Sequence, residues 1–264
     1  MFSKPIAPEG ALHGRADRAV LIQRRYYRET ATQYDAMHAH EGVGNYKNLG
    51  FVRALLHMIG PETLLDVGAG TGRGVRYFRE TMPGLLVRGI EPVGALIEQA
   101  AVKNEIPQGV IIQGVGEALP FTKASFDVVC SFGILHHVQR PDAVVREMTR
   151  VARKAVIIMD GNRFGQGRWP VRLLKLGFYK GGLWGIVNYL KTGGKGYMVT
   201  PGDGLAFSYS AFDSFDYLAE WARELIVVPS EPCKARSWFH PLLTAPGVIV
   251  CALKEGLGEP VSAL

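Results

Sequence analysis

An aspartate closing a short apolar run, four alternating glycines and a second acid about twenty residues on are residue types that hold a nucleoside-bearing cofactor. The run is Leu64-Leu65-Asp66-Val67-Gly68-Ala69-Gly70-Thr71-Gly72-Arg73-Gly74. It reads as strand, glycine turn and helix start, an order that aims backbone N–H groups at a ligand. Glycine takes positive φ and lets a ligand approach the main chain. The second acid, Glu91, ends Leu86-Val87-Arg88-Gly89-Ile90 and lies 19 positions after Gly72. A carboxylate at that strand tip accepts both hydroxyls of a ribose. Dinucleotide enzymes share the acid, but they more often carry G-x-G-x-x-G, and the register from Gly68 puts Arg73 where the third glycine would stand.

Two later segments narrow the choice. Val110-Ile111-Ile112-Gln113 reads as a strand and is followed by Gly114-Val115-Gly116-Glu117-Ala118-Leu119-Pro120-Phe121. Ser125-Phe126-Asp127-Val128-Val129-Cys130-Ser131-Phe132-Gly133-Ile134-Leu135-His136-His137 gives another strand and its exit loop. Over roughly residues 60 to 160, this succession resembles the class I S-adenosylmethionine (SAM)-dependent methyltransferases, particularly their small-molecule branch. The resemblance implies SAM as cofactor and no metal. It assigns Asp66, Gly68, Ala69, Gly70 and Gly72 to the methionine part and Glu91 to the ribose. Pro92, Val93, Gly116, Glu117 and Ala118 fall to the adenine, with Ser131 and Phe132 at the strand exit. One position departs from the pattern: Val115 stands where the family usually has an aspartate that takes the adenine amine. The backbone N–H of Gly116 needs no side chain, and Glu117 is left to receive the amine. Losing one such hydrogen bond costs on the order of 1 kcal/mol.

Before the core, Tyr26-Tyr27-Arg28-Glu29-Thr30-Ala31-Thr32-Gln33-Tyr34-Asp35 is similar to the lid helix of the small-molecule enzymes. Tyr27 and Tyr34 are seven apart and share a helix face. They are read equally as cover for the methionine end, with Tyr27 or Tyr46 meeting the sulfonium, and as core aromatics. Tyr27, Asn162 and His137 are the catalytic candidates, although the His136–His137 pair reads first as structural. Tyr46, Arg163, Asp203, Ser208 and Tyr209 are the substrate-binding candidates. The stretch Arg168–Tyr197 mixes Trp169, Phe178, Tyr179, Trp184 and Tyr189 with four lysines. It reads first as a lid over a hydrophobic substrate, then as plain packing, and third as a membrane-surface patch.

These candidates need a scaffold. The chain has 264 residues, 47% hydrophobic and 20% charged, enough for one large α/β domain with additions. Strands alternating with helices predict a doubly wound, Rossmann-like seven-stranded sheet with an antiparallel last strand. An N-terminal helical lid (1–59) precedes the SAM-binding core (60–160). A helical insertion or substrate cap follows strand five (161–222), and the final strands (223–264) complete the sheet. A single helix is expected at 16–38, strand five at 155–159 and a helix at 212–221. No apolar segment approaches a membrane span and no secretory signal is visible, so a cytoplasmic location is expected. The three cysteines are too far apart for a metal site and read as reduced. The net charge of +6 is spread out, so nucleic acid is not an expected partner.

The function expected is SAM-dependent methyl transfer to a small molecule, with natural-product biosynthesis as one setting for it. One alternative is an intramolecular SAM cyclase or lyase on the same fold, acting on SAM alone and releasing methylthioadenosine, like the enzymes that form azetidine-2-carboxylate. The other is a SAM-binding protein without turnover.

Overall fold

The computed structural model describes residues 15–37, 46–200, 202–230 and 241–256. Seven strands form one sheet in the order β3-β2-β1-β4-β5-β9-β8. They are β1 (Thr63–Val67), β2 (Leu86–Glu91), β3 (Ile111–Gln113), β4 (Phe126–Phe132), β5 (Ala152–Gly161), β8 (Glu224–Pro229) and β9 (Gly247–Leu253). The first five are mutually parallel, and β9 runs antiparallel to both β5 and β8. Chain order reverses direction at β1, with β2 on one side and β4 on the other. The crevice beyond the strand ends at that point is where open α/β sheets bind ligands.

The sheet is buried on both faces, which is why its strands read as nearly continuous apolar runs. Along β5, Ala155, Ile157 and Met159 face one cluster with Leu56 of α3 (Tyr46–Ile59) and Phe78 of α4 (Arg73–Thr81). Val156 and Ile158 face the other, with Val144 and Met148 of α6 (Pro141–Val151) and Leu218 of α9 (Phe215–Trp221). Cys130 and Cys251 are buried free thiols, whereas Cys233 lies outside the described residues. No helix among the described residues is long and apolar enough to cross a membrane.

Three expectations change. The first helix is not continuous: α1 (Arg15–Thr30) ends in a turn at residues 31–33, and α2 (Tyr34–Met37) follows. The insertion is not wholly helical. After α7 (Trp169–Lys180) and α8 (Trp184–Lys191), strands β6 (Tyr197–Thr200) and β7 (Gly204–Phe207) form an antiparallel hairpin. Gly204 makes it possible: its φ is +69°, and a Cβ there would lie 2.6 Å from the Tyr26 ring. The helix expected at 212–221 starts only at Phe215, because Ser210 and Asp213 form a capping box that closes a 3-10 turn at Ala211–Ser214.

At the end of the sheet opposite the crevice, buried Asp127 fastens β4 to the start of β1. Its Oδ2 accepts from Glu62 N at 2.8 Å and Thr63 N at 3.3 Å, and its Oδ1 accepts from Arg153 Nε at 2.8 Å. Asp127→Ala leaves those N–H groups without their acceptor. We expect a loss of about 2–3 kcal/mol in chemical denaturation with the ligand crevice unaffected, and an unchanged midpoint would contradict the anchoring role.

Candidate functional site

The glycine turn between β1 and α4 is built around Glu91. Gly68 and Ala69 donate their backbone N–H groups to Ile90 O at 2.9 and 3.0 Å, which folds the turn back over the tip of β2. The Glu91 side chain then clamps two loops. Its Oε2 accepts from Gly70 N and its Oε1 from Val93 N, both at 2.9 Å. Burial pushes this carboxyl up to about 7, against the opposing pull of those two N–H groups and of Arg24. Gly68 has φ +78°, and a Cβ there would lie 2.8 Å from Ile134. Only glycine fits that position.

Two adjoining clefts open at the turn. The larger has about 760 Å3 of empty space, and its lining includes Gly68, Glu91, Pro92, Val93, Val115, Gly116 and Glu117, with Tyr27 and His137 at its side. The smaller is lined by Asp66, Gly68, Ala69, Gly70, Thr71, Arg73 and Phe132, with Tyr34 and Ile134. Asp66 is buried and its Oδ1 has no hydrogen-bond partner. Burial and the nearby charge of Glu91 push its carboxyl up to about 7. The same cleft therefore holds an acidic pole at Asp66 and a basic one at Arg73. Ala118 and Ser131 line neither cleft, nor does Gly72, whose missing side chain makes room for Ile106 and Ile111.

The broken N-terminal helix covers the junction of the clefts. The rings of Tyr27 and Tyr34 meet edge to face at 5.7 Å, and Tyr27 meets His137 at 5.8 Å. Asp35 latches α2 to the turn: Thr71 Oγ1 donates to its Oδ1 at 2.5 Å and Asn104 Nδ2 to its Oδ2 at 3.2 Å. Gln23 ties α1 to the hairpin by accepting from Leu205 N at 2.5 Å. The side chain of Tyr46 lies outside the described residues.

The remaining candidates are drawn into structural work. Asn162 is buried; its Oδ1 accepts from Phe164 N at 3.0 Å and its Nδ2 donates to Ala245 O at 2.7 Å. Its amide is committed to fixing the turn after β5, which removes it from the catalytic set. Arg163 makes a two-point bond to Asp213 at 2.8 and 2.7 Å and lies 4.7 Å from the Trp184 ring centroid. Ser208 Oγ accepts from Trp184 Nε1 at 3.0 Å, and the Tyr209 hydroxyl lies 2.8 Å from Ser214 Oγ. Arg163, Ser208 and Tyr209 line a separate groove beside α8 and the hairpin, together with Asp203. Residues 168–197, read as a lid, line neither cleft at the glycine turn.

Asp203, at the hairpin tip, reaches both histidines: His137 Nε2 at 3.2 Å and His136 Nε2 at 3.5 Å. His136 Nδ1 lies 2.8 Å from Asp160, and His137 Nδ1 lies 2.7 Å from Leu205 O. Each imidazole thus has both nitrogens engaged. One nitrogen of each ring and an Asp203 oxygen also lie within 4.8 Å of one another, a set with the donor types that bind a divalent cation. Burial opposes charge on His136, but Asp160 and Asp203 outweigh it and push the ring up to about 10. Burial likewise opposes the Asp203 carboxylate, yet the two rings hold it well below the usual range.

Comparison with known proteins agrees with this architecture. Residues 65–159 match the model of a methyltransferase domain family. An uncharacterized methyltransferase of Mycolicibacterium gilvum is 29% identical over 187 residues, covering 70% of this chain and 71% of that one. Another, from Mycobacterium tuberculosis, is 28% identical over 168 residues, covering 64% of this chain and 65% of its own. Residues 65–159 are thus matched as a methyltransferase domain, and the chain resembles class I SAM-dependent methyltransferases in sequence and fold. Among solved structures, a Burkholderia thailandensis 1,6-didemethyltoxoflavin-N1-methyltransferase with bound S-adenosylhomocysteine superposes with TM-score 0.58 at 16% identity, covering 97% of this chain and 94% of that one. Magnesium protoporphyrin IX methyltransferase from Synechocystis gives 0.56 at 16% identity, covering 89% and 100%. At such identities the likeness is one of fold.

Arg73 is one site residue that the sequence reading missed, having counted it only as an absent glycine. A signal was present. A cation in the first turn of a helix opposes the helix dipole, so its placement there implies an anionic partner. Asp35, at 3.7 Å, is one such partner.

The histidine cluster makes stability depend on pH. The His136 ring is held up to about 10 in the folded chain, against an ordinary value of 6.5. Its contribution is complete below that ordinary value and is lost as pH rises through the folded one. The thermal midpoint of wild type should fall more steeply than that of His136→Gln between about pH 7 and about pH 10. Parallel curves would show that the cluster carries no such linkage.

Proposed function

We propose that this chain is a methyltransferase that binds SAM across the two clefts and delivers its methyl group to a small molecule. The observation that carries the reading is the unpartnered, buried Oδ1 of Asp66 in the same cleft as Arg73. An acid and a base facing one cleft suit the ammonium and carboxylate of an amino-acid end. Glu91 retains lone pairs beyond its two backbone bonds and is suited to the ribose hydroxyls. Pro92, Val93 and Val115 offer apolar surface to the adenine, with the Gly116 backbone and Glu117 at its edge.

Bound SAM supplies an electrophilic methyl group on a sulfonium. The chain's own contribution is alignment and exclusion of water. Tyr27 and Tyr34 close the junction of the clefts and present π-faces suited to a cation. Burial keeps both hydroxyls protonated, because it raises each phenol above its ordinary value. Among the described residues, neither neighbouring histidine offers a free base. His136 is held as the imidazolium, and His137 has both nitrogens engaged. The acceptor suited to this site is therefore one whose nucleophile needs little deprotonation.

Two measurements test the assignment. Calorimetric titration of Arg73→Leu should show SAM bound about tenfold more weakly, as expected for loss of a charged hydrogen bond. Methylthioadenosine lacks the amino-acid end and should bind as in wild type. Equal losses for both ligands, or none, would falsify the polarity proposed for the smaller cleft. Because Asp66 and Glu91 both lie near 7 in the free chain, SAM binding should also release protons between about pH 6 and pH 8. For the reaction itself, mass spectrometry of incubations with SAM and small nucleophiles should detect S-adenosylhomocysteine. Methylthioadenosine from SAM alone would instead indicate intramolecular cyclisation or lyase chemistry.

A further inference from the structure

Between Asp160 and Asp203 the chain has no acidic residue and seven basic ones. Helices α7 and α8 occupy the middle of this stretch, and neither has a buried residue. Their large apolar side chains face outward in register. Val171, Leu174 and Phe178 follow the i, i+3, i+7 spacing of one helix face, and so do Leu183, Ile186 and Leu190. The exposure is substantial: Leu174 is 57%, Ile186 61% and Leu190 72% accessible. Trp169 and Tyr189, also exposed, are residue types that settle at the boundary between lipid and water.

The basic residues divide into two groups. Arg163, Arg172 and Lys175 are turned inward, onto Asp213 or onto backbone carbonyls. Arg168, Lys180, Lys191 and Lys195 are exposed, and among the described residues none has an ion-pair partner. An apolar helix face rimmed by exposed cations is the pattern of an interfacial amphipathic element. Two copies of this face would bring like charges together, which disfavours self-association. A bilayer with anionic headgroups supplies both an apolar layer and the opposite charge.

We infer that the α7–α8 hairpin docks this chain on anionic lipid surfaces, independently of the reaction carried out at the glycine turn. The hydrophobic faces enter the headgroup–acyl boundary while Arg168, Lys180, Lys191 and Lys195 contact lipid phosphates.

Co-sedimentation of the full chain with vesicles tests this without any substrate. Vesicles of equimolar phosphatidylglycerol and phosphatidylcholine should bind the protein at least about tenfold more strongly than phosphatidylcholine alone, and high salt should weaken the binding. A variant combining Leu174→Ser, Ile186→Ser and Leu190→Ser should lose binding to the anionic vesicles. So should one combining Lys180→Glu, Lys191→Glu and Lys195→Glu. All six positions are exposed, so thermal midpoints should stay close to wild type, and the two variants provide independent tests. Absence of binding to anionic vesicles overturns the inference, as does equal binding to both compositions or undiminished binding by either folded variant. A salt-insensitive dimer that the serine variant dissolves, with no vesicle binding, would instead make the face a self-association surface.

Discussion

The clamp at Glu91 is the interaction on which the site depends. One buried carboxylate holds the glycine turn after β1 and the turn after β2 at a fixed separation, through Gly70 N and Val93 N. Those turns leave neighbouring parallel strands, and nothing in the sheet ladder itself sets their spacing beyond the strand ends. Burial makes the clamp costly, which is visible in the raised proton affinity of both Glu91 and Asp66. Two like charges in a dry crevice are poorly stable until a donor-bearing ligand arrives. The strain is therefore located where a ligand with hydroxyl and ammonium donors relieves it.

The cover over that crevice is held by polar latches more than by apolar packing. Ala31 of the inter-helix turn packs with Val93 and Leu96, but this cluster is small. Asp35 binds Thr71 and Asn104, and Gln23 binds the Leu205 backbone. Removing the cover exposes this cluster, with Tyr27, Tyr34 and Ala95 packed against it, and breaks a handful of hydrogen bonds. Segments of that kind open locally at far lower free energy than a core strand does. A cover that closes the glycine turn while remaining cheap to open suits a site that must exchange one nucleoside product for fresh SAM.

How much was legible follows from the reach of each interaction. The parallel strands were readable because burial on two faces makes them apolar without interruption, and the acids Asp66 and Glu91 mark strand tips where a carboxylate would otherwise be unwelcome. The β6–β7 hairpin was not, because two four-residue strands resemble any loop and the contacts that secure them, such as Gly204 against Tyr26 and Leu205 against Gln23, are distant in sequence. The structural ties of Asn162, a catalytic candidate, and Arg163, a substrate-binding one, were hidden for a related reason. Their partners, the Ala245 carbonyl and Asp213, lie 83 and 50 residues away, so the sequence displayed polar side chains near a strand end without the groups that occupy them. Arg73 was overlooked in the opposite way. It is local, but it was judged against a glycine pattern when the helix dipole was the relevant standard.

The same hairpin connects the two halves of the molecule's chemistry. Its tip carries Asp203, which contacts both histidines, while its strands flank the groove beneath the cationic helices. His136 is committed as a cation between Asp160 and Asp203, so it cannot take a proton from an acceptor at neutral pH. If the pair serves the reaction at all, it does so by holding the wall of the larger cleft, where His137 meets Tyr27 edge to face. Shape and exclusion of water, set by the contact between α1 and the hairpin, then carry the specificity. A substitution at Gln23 or Leu205 that loosens that contact would alter acceptor choice before it altered SAM affinity, because Asp66, Glu91 and Arg73 are carried by β1, β2 and α4.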